Sequence, residues 1–171
     1  MSPSNDGRES LDAMIREVMA DDTGALRDLL GGVDAFRPEE VDCALDVVAD
    51  FLGGDRDYQP FILWEGDRPA GYVCFGKVPL TQTTYDLYWI AVGPGFRRRG
   101  YGRRLMEFFI DRVRQEGGRL AVSETSSLPG YADARKLYIQ CGFQEKARLE
   151  GYYREGDDLI IYTRSLAGDE S

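Results

Sequence analysis

Residues 90–106 read Ile90-Ala-Val-Gly-Pro-Gly-Phe-Arg-Arg-Arg-Gly-Tyr-Gly-Arg-Arg-Leu-Met106. An apolar run of strand formers ends in the Gly93-Pro94-Gly95 turn, three arginines follow, and an amphipathic helix begins after Gly100. A strand, a glycine-containing basic loop and a helix N-terminus in succession make a site for a polyanion. The first-turn N–H groups lack intrahelical acceptors, and the helix dipole favours negative charge there. Gly100 and Gly102 carry no side chains, so anion oxygens can approach the main chain. Arg97, Arg98, Arg99, Arg103 and Arg104 crowd this loop, although the chain has 30 acidic against 21 basic residues and a net charge of −9. An acidic chain that concentrates cations at one loop uses them for an anion. Two other readings fit the cluster: a solvated helix start, and an Arg-Gly loop for RNA, which the acidic remainder opposes.

Working outward, residues 83–92 form the strand that feeds the loop. Leu105, Met106, Phe109, Ile110 and Val113 mark one face of the helix beyond it, which Gly117-Gly118 ends. Residues 120–125 are the next strand, and a helix between two strands makes them parallel, a βαβ unit. Upstream, residues 14–18 read as a short strand, and Asp22 or Thr23 starts a helix that runs to Leu30. Pro38-Glu39-Glu40 starts another, with Val41, Ala44, Leu45, Val48 and Leu52 as its apolar face and Gly53-Gly54 as its end. Residues 61–64 and 71–75 flank Gly66-Asp67-Arg68-Pro69 as a hairpin. Residues 131–141 are a late helix, and 144–152 with 159–163 a terminal hairpin. The reading is an α/β (α+β) chain with a mixed sheet, as one domain over 13–167 between flexible segments 1–12 and 168–171.

Composition removes several classes of function. Apolar residues at 43% and aromatics at 12% argue against disorder in the body of the chain. No long apolar run and no basic-then-apolar start is present, which predicts neither a membrane span nor a secretory leader. Cys43, Cys74 and Cys141 form no Cys-x-x-Cys pair, so they read as reduced thiols of a cytoplasmic protein without a structural zinc. Histidine is absent. Catalytic triads and histidine metal sites are thereby excluded, and proton transfer falls to carboxylates, tyrosine, cysteine, lysine or water.

Arg97, Gly100 and Gly102 match the Arg/Gln-x-x-Gly-x-Gly/Ala pattern that binds acetyl-CoA in the GNAT superfamily of N-acetyltransferases. Leu87-Tyr88-Trp89-Ile90-Ala91-Val92 resembles that family's fourth strand. The run from Ala134 to Phe143, with Tyr138 four residues before Gly142-Phe143, resembles its late helix. The resemblance spans 14–166 and is strongest over 83–165, while residues 19–58 match nothing specific. It implies a mostly antiparallel mixed sheet, flanked by helices, whose one parallel strand pair splays apart to admit the pantetheine arm.

By the same resemblance, Ile90, Ala91 and Val92 would pair with that arm, the Val92 amide would polarise the thioester carbonyl, and Arg97, Arg98, Arg99, Gly100, Tyr101, Gly102 and Arg103 would hold the pyrophosphate. Acetyl-CoA is the expected co-substrate, and no metal is expected. Tyr138 is the implied acid for the leaving thiolate; it also lies on a helical stripe with Tyr131, Ala134 and Cys141, which reads equally as core. Glu124 and Asp86 are candidate bases, with ordered water as the alternative. Tyr85, Tyr88 and Trp89 are candidates for lining an acceptor pocket, and Tyr152-Tyr153 and Gly156-Asp157-Asp158 for rimming it, although buried-strand packing and a turn explain them equally well. The expected activity is direct acetyl transfer to a primary amine of a small molecule or a protein, by a chain that binds neither nucleic acid nor membrane; the resemblance allows a homodimer, which is common for this architecture. A non-catalytic acyl-CoA-binding module on the same fold is the second reading.

Overall fold

Tyr72, Val73, Cys74 and Phe75 are all fully buried, because their strand lies inside the sheet with helices on both faces. Side chains alternate along a strand, so this one run feeds two cores. Val73 and Phe75 pack with Leu105, Met106, Phe109 and Val113 on one face. Tyr72 and Cys74 pack with Leu26, Leu30 and Val48 on the other.

The computed structural model describes residues 13–168. The segment 1–12 lies outside the described residues, as does the C-terminal segment beyond Gly168. In chain order the elements are β1 (Ala13–Glu17), α1 (Thr23–Gly31), α2 (Pro38–Leu52), β2 (Gln59–Glu65), β3 (Arg68–Lys77), β4 (Thr84–Val92), α3 (Tyr101–Gln115), β5 (Leu120–Ser126), α4 (Ala132–Gln140), β6 (Gln144–Arg154) and β7 (Asp157–Ser165). The seven strands form one sheet in the order β1-β2-β3-β4-β5-β7-β6. Only β4 and β5 pair in parallel. Helix α3 makes the crossover between them and packs on β3 and β4. Among the described residues, no helix is long and apolar enough to cross a membrane.

The expected elements are all present, with differences in detail. The β2–β3 turn contracts to Gly66-Asp67, and Gly66 takes the left-handed φ of 61° that so tight a turn requires. On α2, Leu52 is 40% exposed, whereas Val47 and Phe51 are buried. That helix touches α1 as well as the sheet, so its apolar stripe is wider than the sequence spacing suggested, and Leu52 falls off its edge. Tyr131 belongs to a 3-10 turn, Pro129–Tyr131, ahead of α4.

Phe109 is fully buried and its ring lies 5.0 Å from that of Phe75. Phe109→Ala should cost about 3–5 kcal/mol through lost transfer energy and the cavity left behind. Equilibrium denaturation would show this as a lower midpoint at unchanged slope.

Candidate active site

β4 and β5 remain in register from Thr84 with Leu120 to Leu87 with Ser123, and there their pairing stops. Two features part them. A bulge against β3 leaves Tyr88 unpaired, since Cys74 pairs with Trp89 and Phe75 with Leu87; bulges bend the strand that carries them. Beyond it β4 stays on β3, while β5 stays paired with β7 as far as Ser126. The strands thus diverge into a cleft of about 870 Å³.

The cleft exposes main-chain groups of β4. Gly93 N–H donates to Ala70 O on β3 at 2.9 Å. Backbone groups alternate in direction along a strand, so those of Ala91 face its β3 partner Tyr72, and those of Ile90 and Val92 face the gap. Of the three residues expected to offer main-chain contacts, Ala91 therefore offers none on that side.

The N-terminus of α3 closes one end of the cleft. Gly100 has φ 78° and would meet nothing if a Cβ were added, so the chain is open to solvent there. Gly102 differs: an added Cβ would stand 3.3 Å from Leu137 and 3.8 Å from Val92. Its bareness lets the first turn of α3 lie close to α4 and β4. Arg98 also holds a left-handed backbone, φ 62°, which costs a residue with a Cβ about 1–2 kcal/mol.

The five arginines separate in space. Arg97 and Arg98 line the cleft. Arg99 instead gives both carboxylate oxygens of Glu65 a bond of 2.9 Å. The Tyr101 hydroxyl donates to the same carboxylate, and these bonds, that of Tyr101 foremost, hold Glu65 below the usual carboxylate range. Tyr101 nonetheless lines the cleft with its ring. Arg103 pairs with Glu107 at 3.1 Å, and Arg104 bonds Ala13 O on β1. Arg99 and Arg103, both expected at the anion site, are thus engaged away from the cleft wall.

The model of the acetyltransferase (GNAT) family matches residues 28–143. The chain belongs to this family. It is accordingly an acyltransferase, and the match reaches well into the region upstream of residue 58 where the sequence offered no guide. The [ribosomal protein bS18]-alanine N-acetyltransferase of Salmonella typhimurium is 35% identical over 111 residues, 63% of this chain and 71% of that one. A protein assigned to the GNAT family from Desulfovibrio desulfuricans superposes with a TM-score of 0.86 at 40% identity, over 91% of this chain and 99% of that one. A second Salmonella typhimurium structure, solved with its cofactor acetyl-CoA, shares the fold at a TM-score of 0.70 and 22% identity, over 94% of this chain and 97% of that one.

In this GNAT chain the candidate proton-transfer groups divide between the two sheet faces. Tyr138, on α4, lines the cleft from the α3 side and is only 5% exposed. Its ring lies 5.5 Å from Tyr162 and 6.0 Å from Phe143. Burial pushes its phenol upward, and the nearby Ser123 hydroxyl works against that shift. Tyr138 thus belongs to the core and also lines the cleft.

Tyr85 and Leu87 pack toward α3, so Asp86 points to the opposite face, where Glu124 also lies. Glu124 is exposed on the cleft wall, whereas Asp86 sits behind that wall. Burial first, and then the Glu124 charge, raise the Asp86 carboxyl to about 6. Neither carboxylate has an ion-pair partner among the described residues.

Tyr88, Trp89 and Tyr153 line the cleft, while Tyr85 is buried core and Tyr152 is 59% exposed. The sequence did not indicate Phe36 or Tyr131 at the cleft. Phe36 follows α1 in the 33–36 connection. Tyr131 lines the same space and donates to Glu40 of α2 at 2.7 Å. Only contact between distant segments brings these to the site, and no local pattern marks them. Among the described residues, no group of three or more His, Cys, Asp or Glu could hold a metal.

The raised Asp86 carboxyl makes a stability prediction. An unfolded aspartate titrates near 3.9, so the folded chain binds the extra proton between about 4 and 6. The stability tied to that proton is present below this window and lost as pH rises through it. Asp86→Asn should raise the thermal midpoint at pH 7, and the gain should be about halved at pH 5 and approach zero only below about pH 4.

Proposed function

We propose that this acyltransferase moves the acetyl group of acetyl-CoA directly to a primary amine, with residues 13–167 acting as one catalytic domain. The observation that carries the reading is the parted pair β4–β5, with Ile90 and Val92 main-chain groups facing the gap beside the bare N-terminus of α3. An extended amide-bearing arm can pair with such an edge as an added strand would. The amides near Gly100 and the Arg97 and Arg98 guanidiniums suit a pyrophosphate. The relative solved with acetyl-CoA supports this assignment through its shared fold.

In the reaction the amine nitrogen bonds to the thioester carbon, and the carbon–sulfur bond breaks. Main-chain N–H groups of Ile90 and Val92 are placed to hold the developing oxyanion. The Asp86–Glu124 pair accepts the amine proton, Glu124 at the wall and Asp86 behind it, and water serves as relay. Tyr138 gives its proton to the departing thiolate. Carboxylates without cationic partners, together with Tyr88, Trp89 and Tyr153, favour a cationic amine as acceptor. The Salmonella relative modifies an alanine of a ribosomal protein; here a protein amino group and a small amine both fit a cleft that presents Glu124 beside aromatic rings. Cys43, Cys74 and Cys141 are free thiols, which supports a reducing cytoplasmic setting.

Calorimetric titration with acetyl-CoA, and thiol release in the presence of amines, test the reading. Saturable binding is expected; absence of both binding and thiol release would overturn it. Combined Arg97→Ala and Arg98→Ala should weaken acetyl-CoA binding about tenfold or more, whereas Arg99→Ala should leave affinity nearly unchanged and lower the thermal midpoint.

Tyr138→Phe should lower kcat about a hundredfold with little change in KM for acetyl-CoA; a non-catalytic module would show no turnover to lose. Because the pair works ionised, kcat/KM should rise with pH through about 6, and Asp86→Asn should remove that limb.

A further inference from the structure

Ser123 stands at the vertex of the fork, as the last β5 residue in register with β4. Ala121, two residues earlier, packs in the core on the α3 side, so the alternation of the strand sends Ser123 to the face that holds Tyr138. The side chain is 1% exposed, and its Oγ has no hydrogen-bond partner. A buried hydroxyl without a partner destabilises the folded chain relative to alanine in the same space. Packing alone therefore gives no reason for a serine here.

Its neighbourhood does. Ser123 pairs with Tyr162 of β7, whose ring lies 5.5 Å from that of Tyr138, so the three buried side chains share one place. The Ser123 hydroxyl there favours the Tyr138 phenolate, yet it completes no hydrogen bond. The rings of Tyr162 and Phe143 also pack on Tyr138, and Tyr162 disfavours ionisation of its phenol. A phenolate formed in this place would find the Ser123 O–H at hand and without another partner.

We infer that Ser123 is a positioning residue for Tyr138, its hydroxyl kept without a partner in the resting state so that it can donate to the phenolic oxygen when the proton leaves. This rests on the reading of Tyr138 as the acid. In the step concerned, the thiolate takes the phenolic proton to become the thiol, and the phenol becomes a phenolate. The Ser123 O–H then turns to that oxygen without giving up its own proton. The phenolate regains a proton from solvent before the next turnover, so charge and protons balance.

A double-mutant cycle tests this, with Ser123→Ala made alone and in a Tyr138→Phe background. Alone, Ser123→Ala should lower kcat about tenfold, leave KM for acetyl-CoA within about twofold, and leave the thermal midpoint unchanged or higher. In the Tyr138→Phe background it should cost nothing further. With the tyrosine Cζ labelled with carbon-13, the Tyr138 resonance should titrate at a higher pH in Ser123→Ala than in the unmutated protein. Ser123→Thr, which keeps the hydroxyl, should restore most of the rate.

Additive rate losses in the cycle, an unmoved Tyr138 titration, or a fall in kcat that tracks a fall in thermal midpoint would each overturn the inference. Full activity in Tyr138→Phe would overturn both this inference and the acid assignment. A loss in Tyr138→Phe with none in Ser123→Ala would overturn the inference alone.

Discussion

The loss of hydrogen bonding between β4 and β5 beyond Leu87 and Ser123 is the constraint on which the site depends. Parallel strands joined by a helix ordinarily pair along their shared length, and leaving their amides and carbonyls unpaired in a dry interior would be costly. The chain tolerates the break because each strand keeps its other neighbour. β4 stays on β3 as far as Val92, and β5 stays on β7 as far as Ser126. The unpaired groups then line an open cleft where water, or an extended ligand backbone, can satisfy them. The Tyr88 bulge contributes by shifting the strand's phase. Tyr85 and Leu87 face α3 before it, and Ile90 and Val92 pack on that same side after it.

Charge is organised around the same fork. Three of the five loop arginines are committed to structure. Arg99 ties the loop to the end of β2 through Glu65, Arg104 ties α3 to β1, and Arg103 pairs along its own helix. These contacts hold the loop while Arg98 keeps a backbone conformation that favours glycine. Strain of this kind persists where surrounding contacts over-determine the chain, and it concentrates at ligand-binding turns. Arg97 and Arg98 remain at the cleft wall ahead of α3, whereas Glu124 lines the cleft from β5.

A half-buried carboxyl, Asp86, and a buried phenol, Tyr138, flank the fork on opposite faces, and desolvation pushes each toward its neutral form. Asp86 is raised toward neutrality beside Glu124, which suits a group that must take up and release a proton near neutral pH. Tyr138 is raised by its burial among rings, which favours the protonated phenol. With no histidine in the chain, proton traffic must depend on such environment-tuned groups.

Sequence by itself determined the order of elements, the parallel relation of β4 and β5, the succession of strand, basic loop and helix over residues 84–115, and the family resemblance. Each is local or nearly so: apolar period, glycine and proline punctuation, and the short motif from Arg97 to Gly102 lie within a few turns of chain. Tertiary structure alone decided which arginines face the cleft, because Glu65 and Ala13, which bind two of them, are remote in sequence. It also placed Phe36 and Tyr131 at the site and turned the backbone of Ala91 away from it. Nothing in the spacing of Ser123 shows that its hydroxyl ends beside Tyr138 without a partner. Burial and partnership are properties of the packed chain, since they depend on which distant segments meet, and a linear pattern carries only which residues can.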